Sequence, residues 1–96
     1  MTSSRRKARE TVLQALYWTE SSGDPIEETL ENMSNRADLT QEVSDFAASL
    51  GKETWALRQE MDTLIESALE NWALDRISRI DRILLWMALT EIRAFA

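Results

Sequence analysis

Apolar side chains recur at spacings of three and four along nearly the whole chain, which is a helical period and not the alternation of a half-buried strand. In the first segment Ala8, Val12, Ala15 and Leu16 share one arc, with Leu13 and Tyr17 at its edge and Trp18 on the opposite side. Ser3 or Ser4 can cap its start, and Gly23 is placed to end it after about Ser22. A second helix is predicted from Asp24 as the cap, Pro25 at the first helical position and Glu27 as a capping-box acid; Ile26, Leu30 and Met33 then follow on one face. Asn35 to Leu39 reads as a connection. Thr40 caps a long third helix whose stripe is Val43, Phe46, Ala47, Leu50, Leu57, Met61, Leu64, Ile65 and Ala68, with Thr54 filling its one gap. Gly51 costs such a helix about 1 kcal/mol relative to Ala, so it marks either a close helix crossing or a bend. Unbroken, the segment spans roughly 45 Å, and a break near Gly51 is the alternative. Asn71 to Ser78 reads as a turn or short helix. Ser78 then caps a last helix, with Asp81 at its third position and Ile80, Ile83, Leu84, Met87 and Ala88 on one face. Glu91 falls on that face too; its expected partner lies in a segment beyond this chain.

The expected fold is therefore all-α, a single domain over residues 1–96 built as a bundle of about five helices. Two Gly and one Pro fit that reading. No stretch approaches the roughly 20 apolar residues of a membrane span. The basic start is not followed by an apolar segment, so it is not a secretory signal, and the expected location is the cytoplasm. The chain has no Cys and no His. That excludes disulfides, thiolate nucleophiles, Cys/His zinc sites and the commonest general acid–base group. Glycine-rich phosphate loops are absent as well. A binding protein without metal or cofactor is expected, not an enzyme.

Net charge is −6, which taken whole argues against nucleic acid. Its distribution changes the picture. Residues 1–19 carry Arg5, Arg6, Lys7 and Arg9 against Glu10; residues 20–70 carry 3 basic and 13 acidic side chains; residues 71–96 carry four arginines against three acids. Basic ends can bind a polyanion locally, because the distant acids are screened over about 8 Å. Three constellations follow. Arg5, Arg6, Lys7 and Arg9 open a helix at the wrong end of its dipole, and phosphates would relieve their repulsion; a merely solvated terminus is the competing reading. Arg79, Arg82, Trp86 and Arg93 form a stripe on the last helix that can pair with phosphate and stack on a base. Against this, Trp86 can be a covered core residue and the arginines can be paired to Asp75, Asp81 or Glu91. The acidic middle is either a solvated face or a surface for a basic protein. Of the remaining aromatics, Trp72 reads as a core plug and Trp55 as an interface residue.

Two stretches resemble the NusB family of transcription antitermination factors. Residues from Arg5 to Tyr17, RRKARETVLQALY, are similar to the family's opening arginine-rich helix. Residues from Asn71 to Leu89, NWALDRISRIDRILLWMAL, are similar to its second signature. The resemblance implies a two-bundle all-α fold. It also implies binding of boxA RNA in ribosomal leader transcripts, jointly with the small-subunit ribosomal protein NusE, and through that complex an indirect link to the RNA polymerase elongation complex. By position, Arg5, Arg6, Lys7 and Arg9 would contact RNA, with Gln14 and Tyr17 nearby; Arg79, Asp81, Arg82 and Trp86 would lie on the partner or RNA surface. The chain departs from the pattern with Trp86 where a basic residue is usual and Thr90 where Tyr is usual. It also ends where the family continues with further helices, so about two-thirds of the fold is expected. Helix 3 and the last helix should then expose apolar area, leaving the chain marginally stable alone or covered as a homodimer. The alternative function is a helical interaction module, such as the domain preceding certain ribosomal RNA methyltransferases, with weak RNA binding.

Overall fold

The computed structural model describes residues 3–69 and 74–95. Four α-helices carry the fold: α1 (Ser3–Ser22), α2 (Ile26–Arg36), α3 (Gln41–Ala68) and α4 (Arg79–Thr90). A three-residue 3-10 turn, Leu74–Arg76, precedes α4, and a π-helical turn, Glu91–Phe95, extends it. No strand occurs among the described residues. The all-α class thus holds, with four α-helices among the described residues where about five were expected, and only a three-residue 3-10 turn, Leu74–Arg76, described between α3 and α4. Trp72 and Asn71 lie outside the described residues. No helix among those described is long and apolar enough to cross a membrane.

Of the three helix starts whose caps lie among the described residues, two follow the predicted chemistry; α1 already includes Ser3, and the residue before it lies outside them. Thr40 Oγ1 accepts from the backbone N–H of Val43 at 3.3 Å, and Ser78 Oγ accepts from that of Asp81 at 3.2 Å. At α2 the cap moves by one residue. Pro25 itself is the N-cap in extended geometry, its carbonyl accepting from Thr29 N–H. Asp24 is not a cap: its carboxylate accepts from the Trp18 indole N–H at 2.9 Å. Gly23 closes α1 at φ +83°, in the left-handed region that favours glycine.

α3 runs unbroken for 28 residues. Gly51 marks a crossing and not a bend. A Cβ there would stand 2.6 Å from Leu30 Cδ2, so the missing side chain is what lets α2 lie against α3. The core gathers Ala8, Val12, Ala15 and Leu16 of α1, Ile26 and Leu30 of α2, Ala47, Leu50, Met61 and Ile65 of α3, and Ile83, Trp86 and Met87 of α4.

α4 buries a different face from the one its apolar pattern predicts. Ile83, Trp86, Met87 and Thr90 are buried, whereas Ile80 and Leu84 remain 49% and 44% exposed, and Ala88 is exposed. The helix is turned by about one residue because Trp86 takes the place against α3. Leu64 and Ala68, expected on the buried stripe of α3, are exposed as well. With Leu85 and Ile92 they leave apolar surface on α3 and on the last helical segment.

Candidate nucleic-acid interface

At about 100° per residue, the helix α1 sorts its own polar side chains. Arg6, Lys7, Gln14, Tyr17 and Trp18 fall on its outer face and are exposed. Arg5 and Arg9 fall beside the buried arc of Ala8, Val12 and Leu16, so they meet neighbouring helices. The Arg5 guanidinium lies 4.0 Å above the Phe46 ring, which in turn packs edge-on against Phe95 at 6.0 Å. Arg9 is held side-on by Glu91: Nε donates to Oε2 at 2.8 Å and Nη2 to Oε1 at 2.7 Å. This pair joins residues 82 positions apart and straps α1 to the end of α4. It also accounts for Glu91, whose partner comes from α1 within this chain and not from a segment beyond it. Arg6 reaches only Glu10, at 3.5 Å in an exposed i,i+4 pair of small energetic weight. Lys7 has no acidic partner among the described residues. The outer face of α1 thus presents two available cations, a carboxamide and two aromatic rings.

The second predicted stripe is divided. Trp86 is 2% exposed, and its indole N–H donates to Asp62 Oδ1 at 2.6 Å. It is a core residue that faces α3 and cannot stack on a base from solvent. The same Asp62 receives Arg82 bidentately, Nε to Oδ1 at 3.0 Å and Nη2 to Oδ2 at 2.6 Å. Arg79 pairs with Glu20 at 3.3 Å, donates to Ser21 Oγ at 2.9 Å and sits 5.7 Å from the Tyr17 ring. Arg93 pairs with Glu60. The arginines are therefore paired, but with Asp62, Glu20 and Glu60 instead of Asp75, Asp81 or Glu91. Asp81 is exposed beside its cap. Trp55 is half-buried, with Arg58 stacked 3.8 Å from its ring. No cluster of metal-binding side chains occurs among the described residues.

Asp62 and Glu91 are the hubs that sequence periodicity missed. A signal existed for Glu91, a lone acid on an apolar helix face. For Asp62 the only hint was its place beside Met61 on the stripe of α3. Burial pushes the Asp62 carboxyl up, but the hydrogen bonds from Arg82 and Trp86 and the charges of Arg82 and Arg58 outweigh it, leaving it below its ordinary value. The hydrogen bonds from Arg9 hold Glu91 below its ordinary value against the opposing effect of burial. Lowered folded values mean stability present above the unfolded carboxylate range and lost as pH falls through it, near and below about 4. The gap in melting temperature between the wild type and Glu91→Gln should accordingly be widest near neutrality and shrink as pH drops below about 4. A gap that stays constant down to acid pH would refute the strap.

A family model described as the NusB family matches residues 6–95. The transcription antitermination protein NusB of Salinibacter ruber is 42% identical over 95 residues, covering 97% of this chain and 59% of that protein. Its namesake in Listeria monocytogenes is 34% identical over 89 residues, covering 93% of this chain and 66% of that protein. That of Anaeromyxobacter dehalogenans is 36% identical over 93 residues, with 96% and 66% covered. The chain thus spans about three-fifths to two-thirds of the length of the curated relatives it matches. No solved structure matches it.

Proposed function

The chain belongs to the NusB family, and from that premise we propose that it is a non-enzymatic antitermination factor that binds boxA-type RNA of ribosomal leader transcripts together with the small-subunit ribosomal protein NusE. The observation that carries this reading is the outer face of α1, where Arg6 and Lys7 stand exposed and unburdened by strong pairing, about two to three turns ahead of Gln14 and Tyr17. Exposed cations on one helix face supply phosphate affinity, and an amide and a ring beside them supply contacts to bases. Arg5 and Arg9 support that face from behind: one packs on Phe46, the other ties α1 to Glu91. Arg79 takes part through Tyr17, whose ring it approaches. Arg82 and Trp86 contribute as the structural link between α4 and α3, and Asp81 remains open to a partner. The setting proposed is the cytoplasm, with the polymerase reached through the RNA–protein complex.

A second reading has an observation of its own. Leu64, Ile80, Leu84, Leu85 and Ile92 are all exposed by 39% or more, which favours a helical interaction module, whether covered by further helices, by a partner protein or by a second copy of the chain. Binding separates the two. The chain should prefer a boxA-type RNA to a scrambled control, more strongly with the ribosomal partner present. Equal and weak binding to both RNAs, with or without the partner, would leave only the interaction module.

A further inference from the structure

Beside Gln14 and Tyr17 the surface is not flat. α1, the C-terminal turn of α2 and the start of α4 border an open, mainly apolar hollow of about 390 Å³. Two exposed aromatic rings of α1, Tyr17 and Trp18, stand in its wall, Met33 of α2 and Ile80 of α4 give it apolar surface, and Gln14 and Arg36 bring polar groups to it. Trp18 is 51% exposed, an unusual place for so large an apolar ring. Yet the ring is fixed: its N–H is held by Asp24, at the turn that leads into α2. Tyr17 is flanked by Arg79, itself anchored by Glu20 and Ser21. The Trp18 ring is thus oriented before any ligand arrives, so less of its rotamer freedom remains to be lost.

We propose that this hollow is a pocket for one unstacked base of single-stranded RNA, with Trp18 as its stacking platform and Arg36 as the contact to the adjoining phosphate. The proposal rests on the RNA-binding reading and extends it to two residues, Trp18 and Arg36, outside the basic cluster and outside the stretches that resemble the family signatures. Four features favour a base over an apolar helix from a partner protein. The walls carry π-faces, on which any base stacks. The Gln14 carboxamide offers both a donor and an acceptor to a base edge. Arg36 supplies a planar guanidinium suited to phosphate. Arg6 and Lys7 lie on the same outer face of α1, so a polyanion running along that helix passes over the pocket.

The test is the affinity of the full chain for a short boxA-type single-stranded RNA across a salt series, for the wild type, Trp18→Ala, Trp18→Phe and Arg36→Gln, with melting temperatures in parallel. Stacking releases no counterions, so Trp18→Ala should weaken binding by about fivefold or more without changing the salt slope. Trp18→Phe keeps a ring and should stay close to the wild type, which separates a stacking role from loss of the Asp24 contact. Arg36→Gln should weaken binding and reduce the slope by about 0.7. If Trp18→Ala binds RNA like the wild type while Arg6→Ala/Lys7→Ala does not, the pocket is refuted and the RNA reading stands. If Trp18→Ala loses a protein partner but not RNA, the hollow is a helix-docking groove and the proposal is overturned. If the wild type binds no RNA even at low salt, both fall together.

Discussion

Trp86→Ala is expected to lose about 3–5 kcal/mol of folding stability, the range for truncating a large buried aromatic. A domain of this size has about 5–14 kcal/mol in total, so the variant should be largely unfolded or melt far below the wild type. The cost has two sources. The ring fills the contact between α4 and α3 at 2% exposure, and its removal leaves a cavity. Its N–H is also one of three donors on Asp62, the others coming from Arg82. Trp86→Phe keeps most of the volume and loses only the hydrogen bond, for about 1–2 kcal/mol. Urea titration of the three proteins measures this directly. A Trp86→Ala protein as stable as the wild type but weak in RNA binding would show that the ring faces RNA after all, as its place in an arginine stripe suggests.

The second large effect concerns affinity. Arg6→Ala/Lys7→Ala should lower RNA binding by about a hundredfold at low salt, roughly tenfold for each charge-assisted phosphate contact removed. Stability should hardly change, because Arg6 makes only an exposed pair and Lys7 makes none among the described residues. Arg9→Ala should behave in the opposite way. It breaks the bidentate strap to Glu91, so it should cost stability first and affinity second. Four clustered cations that look equivalent in sequence thereby separate: Arg6 and Lys7 stand on the outer face of α1, Arg9 is tied to Glu91 and Arg5 lies over the Phe46 ring.

That separation shows what a single sequence makes legible. Local chemistry can be read from it. The caps at Thr40 and Ser78 and the stop at Gly23 each depend on residues within one helix or its flanks, whereas Gly51 reads equally as a crossing or a bend until Leu30 of α2 is placed against it. The α1 arc can be read for the same reason, since its buried residues repeat at a helical period. Pairings between distant helices are a different matter. Arg9 meets Glu91, Arg82 and Trp86 meet Asp62, and Arg79 meets Glu20, contacts set by how helices cross and not by period. The orientation of α4 is not legible in its pattern, because apolar count favours Ile80 and Leu84, while packing favours the largest ring, whose polar atom meets a carboxylate on α3. The Asp24 cap was displaced for a similar reason: its carboxylate serves Trp18, six residues back. The candidate interface was therefore legible as a basic first helix, but which of its cations face outward required the neighbours.

The proposed function requires RNA to bind along the outer face of α1. Its most direct test is the slope of log affinity against log salt for a boxA-type RNA, compared between the wild type and Arg6→Ala/Lys7→Ala. Each phosphate contact to single-stranded RNA contributes about 0.7 to that slope, so the double variant should be shallower by about 1.4. An identical slope in the two proteins would place the phosphate contacts elsewhere and contradict the account.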